Sequence, residues 1–296
     1  MKIKAITKIG QFFARYEPKR KWYRFSRSPL SVVGLVIAVA FIVMALGAQY
    51  IAPYPAHASK YVNLREAFQP PSLKYLSGTD EMGRDVLSRT IFGFQYSFMM
   101  AAVVLALVVP PGVILGLVAG YFRGSLIDTV IMRIADIFIA VPPLVLALSI
   151  ASVLTPSVFN AMMAVSLMWW PWYTRMVYNV ASSLRNEYFV QAAEIMGASS
   201  FHIIFKEILP NCLGPILTKV TLDVGWVILL GASLSYVGLG AQPPTPDLGT
   251  MVAEGSKYLP RYWWISIFPA IAISIIILGF NLLGDGVRDM FVEEAR

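Results

Sequence analysis

Residues 31–52, SVVGLVIAVAFIVMALGAQYIA, carry no charged side chain, and this run limits what the chain can fold into more than any other feature. As a helix rising about 1.5 Å per residue, it covers the roughly 30 Å hydrocarbon layer of a bilayer. Five further apolar runs follow, at about 96–120, 129–153, 158–180, 213–240 and 263–286. With 57% hydrophobic and only 14% charged residues among 296 and a mean hydropathy of +0.65, the chain is an integral membrane protein rather than a soluble domain. Its single cysteine, Cys212, excludes an intrachain disulfide and a thiolate metal cluster.

Charge orients these spans. Lys2, Lys4, Lys8, Arg15, Lys19, Arg20, Lys21, Arg24 and Arg27 all precede the first apolar run, against one acid, Glu17, which places the N-terminus in the cytoplasm. Lipid charge and orientation account for this basic segment, so it is not read as a nucleic-acid arm. Both it and the apolar run are too long for a cleaved signal peptide.

The expected fold is an all-α membrane protein of six transmembrane helices with both termini cytoplasmic. Its parts are a basic segment 1–30, a first span 31–52, an extracytoplasmic loop 53–94 and a transmembrane core 95–290. A last outer loop, rich in proline, covers 241–262. Kinks are expected at Pro110–Pro111 and Pro142–Pro143, with Pro171 inside the fourth span. Thr79 or Asp80 is expected to cap a short amphipathic helix within 78–89, and Trp263 and Trp264 to serve as interfacial anchors.

Residues 181–212 form the largest cytoplasmic loop between spans. Within it, YFVQAAEIMGASSFHIIFKEILP (188–210) places Phe189, Ala192, Ala193 and Met196 on one helical face. Gly197 breaks that helix, Ser199 or Ser200 can cap a second, and Phe201, Ile204, Phe205, Ile208 and Leu209 repeat the spacing until Pro210 limits it. The segment reads as helix, glycine turn, helix, lying at the membrane surface and available to a partner.

No phosphate loop, HExxH, CxxC or GxSxG pattern is present, and the only histidines are His57 and His202. Work against a gradient would therefore draw its energy from another subunit. Ionisable groups within spans are expensive and face partners or aqueous cavities. Arg133 and Asp136 are spaced to pair with each other, and Arg175 and Asp223 fall near the cytoplasmic side. Gly112, Gly116 and Gly120, and Gly231, Gly238 and Gly240, suit close helix approach.

Gln191-Ala192-Ala193, Gly197 and Ile208-Leu209-Pro210 resemble the EAA motif of permease subunits in ATP-binding cassette importers. Further stretches resemble the C-type permease of the dipeptide, oligopeptide and nickel class. They are Gly78-Thr79-Asp80 with Gly83 through Arg89, Gly120-Tyr121 with Asp128, Met132-Arg133, Asp136 and Pro142, Ala232 through Ser235 with Gly238 through Gly240 and Gln242 through Pro246, and Asn281 through Gly286 with Arg288-Asp289.

That resemblance implies the type I importer permease fold in the cytoplasmic membrane, paired with a homologous second permease, two ATPases and an extracytoplasmic solute-binding protein. ATP and magnesium would bind the ATPases, and no cofactor, metal or nucleic acid would bind this chain. Residues 188–201 would dock on an ATPase, and the coupling set would be Gln191, Ala192, Ala193, Glu194, Gly197, Ala198, Ser199, Phe201, Leu209 and Pro210. Arg133, Asp136, Arg175, Asp223, Ser233 and Ser235 are candidates for the translocation path or for helix packing.

Two positions depart from the family pattern. Gln191 replaces the glutamate that usually opens the motif, with Glu194 three residues on, and Gly231 stands where a glutamate commonly precedes ASLS. The implied cargo is a di- or oligopeptide. Oligosaccharides, nickel and glutathione are cargoes of similar permeases, and nickel fits least because the spans contain no histidine. Trp169, Trp170, Trp172 and Tyr173 could stack on sugars or simply pack. An ATPase-independent channel or secondary carrier is the alternative of another class, and it would have no use for the cytoplasmic segment.

Overall fold

The computed structural model describes residues 18–291. Lys2, Lys4, Lys8, Arg15 and Glu17, and tail residues 292–296, lie outside the described residues. Those described fold into helices without a strand. Helix α1 (Pro18–Arg27) leads into α2 (Pro29–Leu46), where Ser28 accepts a hydrogen bond from the Ser31 N–H and Pro29 opens the first turn. Apolar around its whole circumference, α2 buries only small residues, among them Ser31, Gly34 and Ala38. They let it approach α10 (Trp264–Phe291) closely enough that a Cβ on Gly34 would meet the Leu283 backbone nitrogen at 2.5 Å.

Chain 53–85 forms a cap of short 3-10 turns and loops, from which α3 (Val86–Tyr121) departs. Its cap is neither Thr79 nor Asp80 but Asp85, whose Oδ2 accepts from the N–H (2.8 Å) and hydroxyl (2.6 Å) of Ser88. Asp80 instead binds Arg84 and Arg89, and Thr79 accepts from the Gln69 N–H. Helix α3 runs unbroken through Pro110 and Pro111 for 36 residues, about 54 Å, so the expected interruption there does not occur.

The other expected break is real. Helices α4 (Leu126–Ile139) and α5 (Pro143–Val153) meet at 86°, because a proline N–H is missing and the residue before it is pushed out of the helical region. Helix α6 (Val158–Leu184) packs along α3, and the glycine row forms the seam. A Cβ on Gly112 would lie 2.6 Å from Tyr173 Cβ, on Gly116 2.6 Å from the Thr174 oxygen, and on Gly120 2.8 Å from Ala181 Cβ.

Helix α7 (Tyr188–Ile195) follows α6, and α8 (Leu209–Tyr236) returns through the bundle. Asp247 caps the nine-residue α9 (Leu248–Ser256) in the last loop. Four helical stretches among the described residues are long and apolar enough to cross a membrane: Pro29–Leu46, Val86–Tyr121, Ser200–Tyr236 and Trp264–Phe291. The bent α4–α5 pair passes the same test when taken together.

Trp264 is not an interfacial anchor. It is buried and donates its indole N–H to the Thr79 carbonyl, while Trp263 remains half-exposed.

Candidate functional site: a glycine-broken segment between two long helices

Helix α7 ends in a Schellman-type stop. The Gly197 N–H donates to the Glu194 carbonyl (2.9 Å) and the Ala198 N–H to that of Ala193 (3.0 Å), while Gly197 adopts φ +79°. An added Cβ there would meet nothing within 4 Å, so backbone conformation rather than packing calls for glycine. Ser199 then accepts from the His202 N–H at 3.3 Å and starts the next turn, as expected of a cap.

The second half is not a separate short helix. Ser200–His202 passes through a π-helical stretch, Ile203–Ile208, directly into α8, making one run of 37 residues. Pro210 does not end it: it follows the π-helical stretch, where the Leu209 N–H reaches back to the Ile204 carbonyl, and the helix widened there accommodates a residue with no N–H to donate.

Burial divides α7 differently from the expected face. Val190 and Ala193 point into the core, so Ala193 parts from Ala192, which is exposed. Outward stand Tyr188 (86% exposed), Ile195 (88%), Met196 (75%) and Phe201 (72%). Phe189 is at the margin, and Ala198 and Leu209 pack against the core from partial burial. Gln191 donates to the Asn186 carbonyl at 3.0 Å, and Glu194 accepts from the Tyr121 hydroxyl at 3.1 Å. The segment thus presents large apolar side chains on a surface next to the spans.

The ionisable groups within the helices fall into two places. Asp136 pairs with Arg175 across α4 and α6 and not with Arg133; both partners are exposed on the surface of this chain. Asp223 is buried and bound to Lys219 at 3.1 Å and to the Trp169 indole N–H at 2.9 Å. Lys219 also lies over the rings of Trp169 and Tyr173, 5.6 and 5.1 Å from their centroids. Lys219 escaped the sequence reading, although its position four residues before Asp223 on one helix is the signal for such a pair.

The buried Trp169 and Tyr173 therefore pack. Ser233 turns back to the Leu229 carbonyl, 2.8 Å away. Buried Ser235 lines a small cavity with Ser97, Met100, Gly231 and Asp247, away from the ion pairs. Gly231 is filled from the opposite helix: its added Cβ would lie 2.2 Å from the Met100 sulfur.

Residues 112–296 match the family model described as the binding-protein-dependent transport system inner membrane component. The chain belongs to that family. Residues 19–71 match the N-terminal transmembrane domain of oligopeptide transport permease C. A probable D,D-dipeptide transport system permease protein of Escherichia coli (strain K12) is 39% identical over 95% of this chain and 93% of its own length. An oligopeptide transport system permease protein of Bacillus subtilis (strain 168) is 40% identical over 92% and 88%. A dipeptide transport system permease protein of Haemophilus influenzae is 35% identical over 90% and 92%. As an inner membrane component of a binding-protein-dependent transport system, the protein is a multi-pass permease subunit of a cell membrane importer.

Proposed function

We propose that this permease forms half of the translocation path of an ATP-driven importer of di- or oligopeptides, with α7 and the turn at Gly197 as its contact with an ATPase. The observation that carries this reading is the apolar surface of Tyr188, Ile195, Met196 and Phe201 on a glycine-stopped helix within a binding-protein-dependent permease. Large apolar side chains left exposed beside a membrane mark a protein interface. Relatives with printed dipeptide and oligopeptide names support the cargo.

In this reading the chain crosses six times, with α6 and the bent α4–α5 pair as spans, and keeps both termini in the cytoplasm. A homologous second permease completes the path, two ATPases hold ATP and magnesium, and a solute-binding protein meets the outer cap and the loop around α9. Closure of the ATPases draws the docked segments together and turns the helices to open the path outward. The exposed Asp136–Arg175 pair then faces the path or the second permease, since charges in a membrane need such company.

Purifying the chain in mild detergent from its own membrane and identifying its companions by mass spectrometry tests the reading. A second permease and two ATPases are expected. Loss of an ATPase with the second permease retained, in an Ile195→Asp, Met196→Asp variant, would locate the contact, and recovery of the crosslinked chain alone would overturn the assembly.

A further inference from the structure

Tyr121 is the last residue of α3, and three elements meet on it. Its backbone carbonyl accepts from the Arg185 guanidinium, and Arg185 directly follows α6. Terminal carbonyls of a helix lack intrahelical partners, and a cation there also complements the helix dipole. The same guanidinium lies 5.1 Å from the centroid of the Tyr121 ring. The tyrosine hydroxyl, carried on a buried ring, donates to Glu194 Oε1 on α7 at 3.1 Å.

Helix α7 has eight residues and buries only Val190 and Ala193. A helix so short and so lightly packed does not hold its own orientation. A hydrogen bond to a carboxylate is stronger than a neutral one and fixes direction as well as distance. Gly120 strengthens the arrangement, since the end of α3 approaches α6 so closely that an added Cβ would lie 3.0 Å from the Tyr178 carbonyl. A pull on Glu194 therefore arrives at the junction of two membrane helices.

We propose that Tyr121 is a positioning residue that ties α7 to α3 and α6, with Arg185 holding its ring and Glu194 as the handle. The assignment rests on α7 being the ATPase contact. It also gives Glu194 a role inside the chain, distinct from that of the motif glutamate that Gln191 replaces.

The test follows hydrogen exchange in the whole transporter complex, nucleotide-free and trapped with ATP and vanadate. In the wild type, protection is expected to change together in residues 188–198 and 112–121. Tyr121→Phe keeps the ring over Arg185, so α7 should still respond while the α3 response falls about tenfold, the factor carried by ~1.4 kcal/mol of hydrogen bonding. Glu194→Ala should reproduce that loss from the surface, without touching the buried ring, and Glu194→Gln, which keeps an acceptor, should restore the response. An α3 response of wild-type size in both Tyr121→Phe and Glu194→Ala would overturn the proposal. An α7 that ignores nucleotide in the wild type would instead overturn the docking assignment on which it rests.

Discussion

Trp264 and Thr79, 185 positions apart in the chain, are joined by a hydrogen bond of 3.1 Å from the indole N–H to the backbone carbonyl. This contact fastens the cap of residues 53–85 to the first turn of α10. Gly78, beside it, adopts φ +72°, and an added Cβ would lie 2.6 Å from the indole. Trp264→Phe should cost about 1–2 kcal/mol for a buried donor lost and its acceptor left unpaired. Gly78→Ala should cost more, because it adds backbone strain to a clash. Melting in detergent, together with limited proteolysis between residues 53 and 85, would check both; a cap cleaved no faster than in the wild type would remove the fastening role.

The same cap should loosen in acid. His57 is buried, stacked on Tyr61 at 3.9 Å, and its Nδ1 accepts from the Asp85 N–H at 2.9 Å. Burial holds its pKa below the ordinary 6.5, against the charges of Asp85, Glu66 and Asp80 and together with that of Lys74. Protonating Nδ1 would set a donor against a donor. A depressed folded-state pKa contributes stability above pH 6.5 that is lost as pH falls through the folded value. Burial raises the carboxyls of Asp85 and Glu81, which gives the opposite slope at lower pH, so the comparison must isolate the histidine. Between about pH 7 and 5, the melting temperature should fall more steeply in the wild type than in His57→Asn; parallel slopes would refute the assignment.

Lys219 and Asp223 form an ion pair inside the bundle, with Asp223 almost fully buried. Removing Lys219 strands the buried Asp223 carboxylate, so Lys219→Met should cost about 3–5 kcal/mol, while Lys219→Met combined with Asp223→Asn, which drops the charge and keeps an acceptor for the Trp169 indole, should recover most of that loss. Size-exclusion stability in detergent would rank the three proteins. A double variant as unstable as the single would show that the pair contributes more than the cost of burying it.

Gly197→Leu and Gly116→Leu should separate coupling from folding. At Gly197 a side chain meets only solvent and a left-handed backbone, a local cost of about 1–2 kcal/mol, so the chain should insert while uptake is lost. At Gly116 it would strike the Thr174 carbonyl, so the inserted, folded fraction itself should drop. Normal uptake by inserted Gly197→Leu would count against the turn at Gly197 as a coupling element.

Sequence reasoning succeeded where the physics is local. Uncharged length marked α2, the missing N–H and restricted neighbour marked the break at Pro142–Pro143, and a left-handed turn marked Gly197. It failed where distant packing decides. Pro110 and Pro111 do not interrupt α3, which is packed along α6 at that level. Asp136 has Arg133 three residues away on its own helix but finds Arg175 on another. Ala193 and Ala192 are adjacent in the motif, yet only the three-dimensional arrangement shows that one faces the core and the other solvent. Tyr121 gave no sequence signal beyond its place in a familiar stretch, because its partners lie 64 and 73 residues away.

The row Gly112, Gly116 and Gly120 contributes no side chain of α3 to its seam with α6, so Tyr173, Val177 and Ala181 of α6 rest directly on the α3 backbone. Helices separated by long side chains can roll on them like bearings; these two are set like a welded beam. Sliding either one would drive α3 into the carbonyls of Trp170, Thr174 and Tyr178. A torque applied to either helix turns the pair as one member. Flexure is left to the 86° elbow between α4 and α5, where the chain already lacks the hydrogen bonds that would resist it.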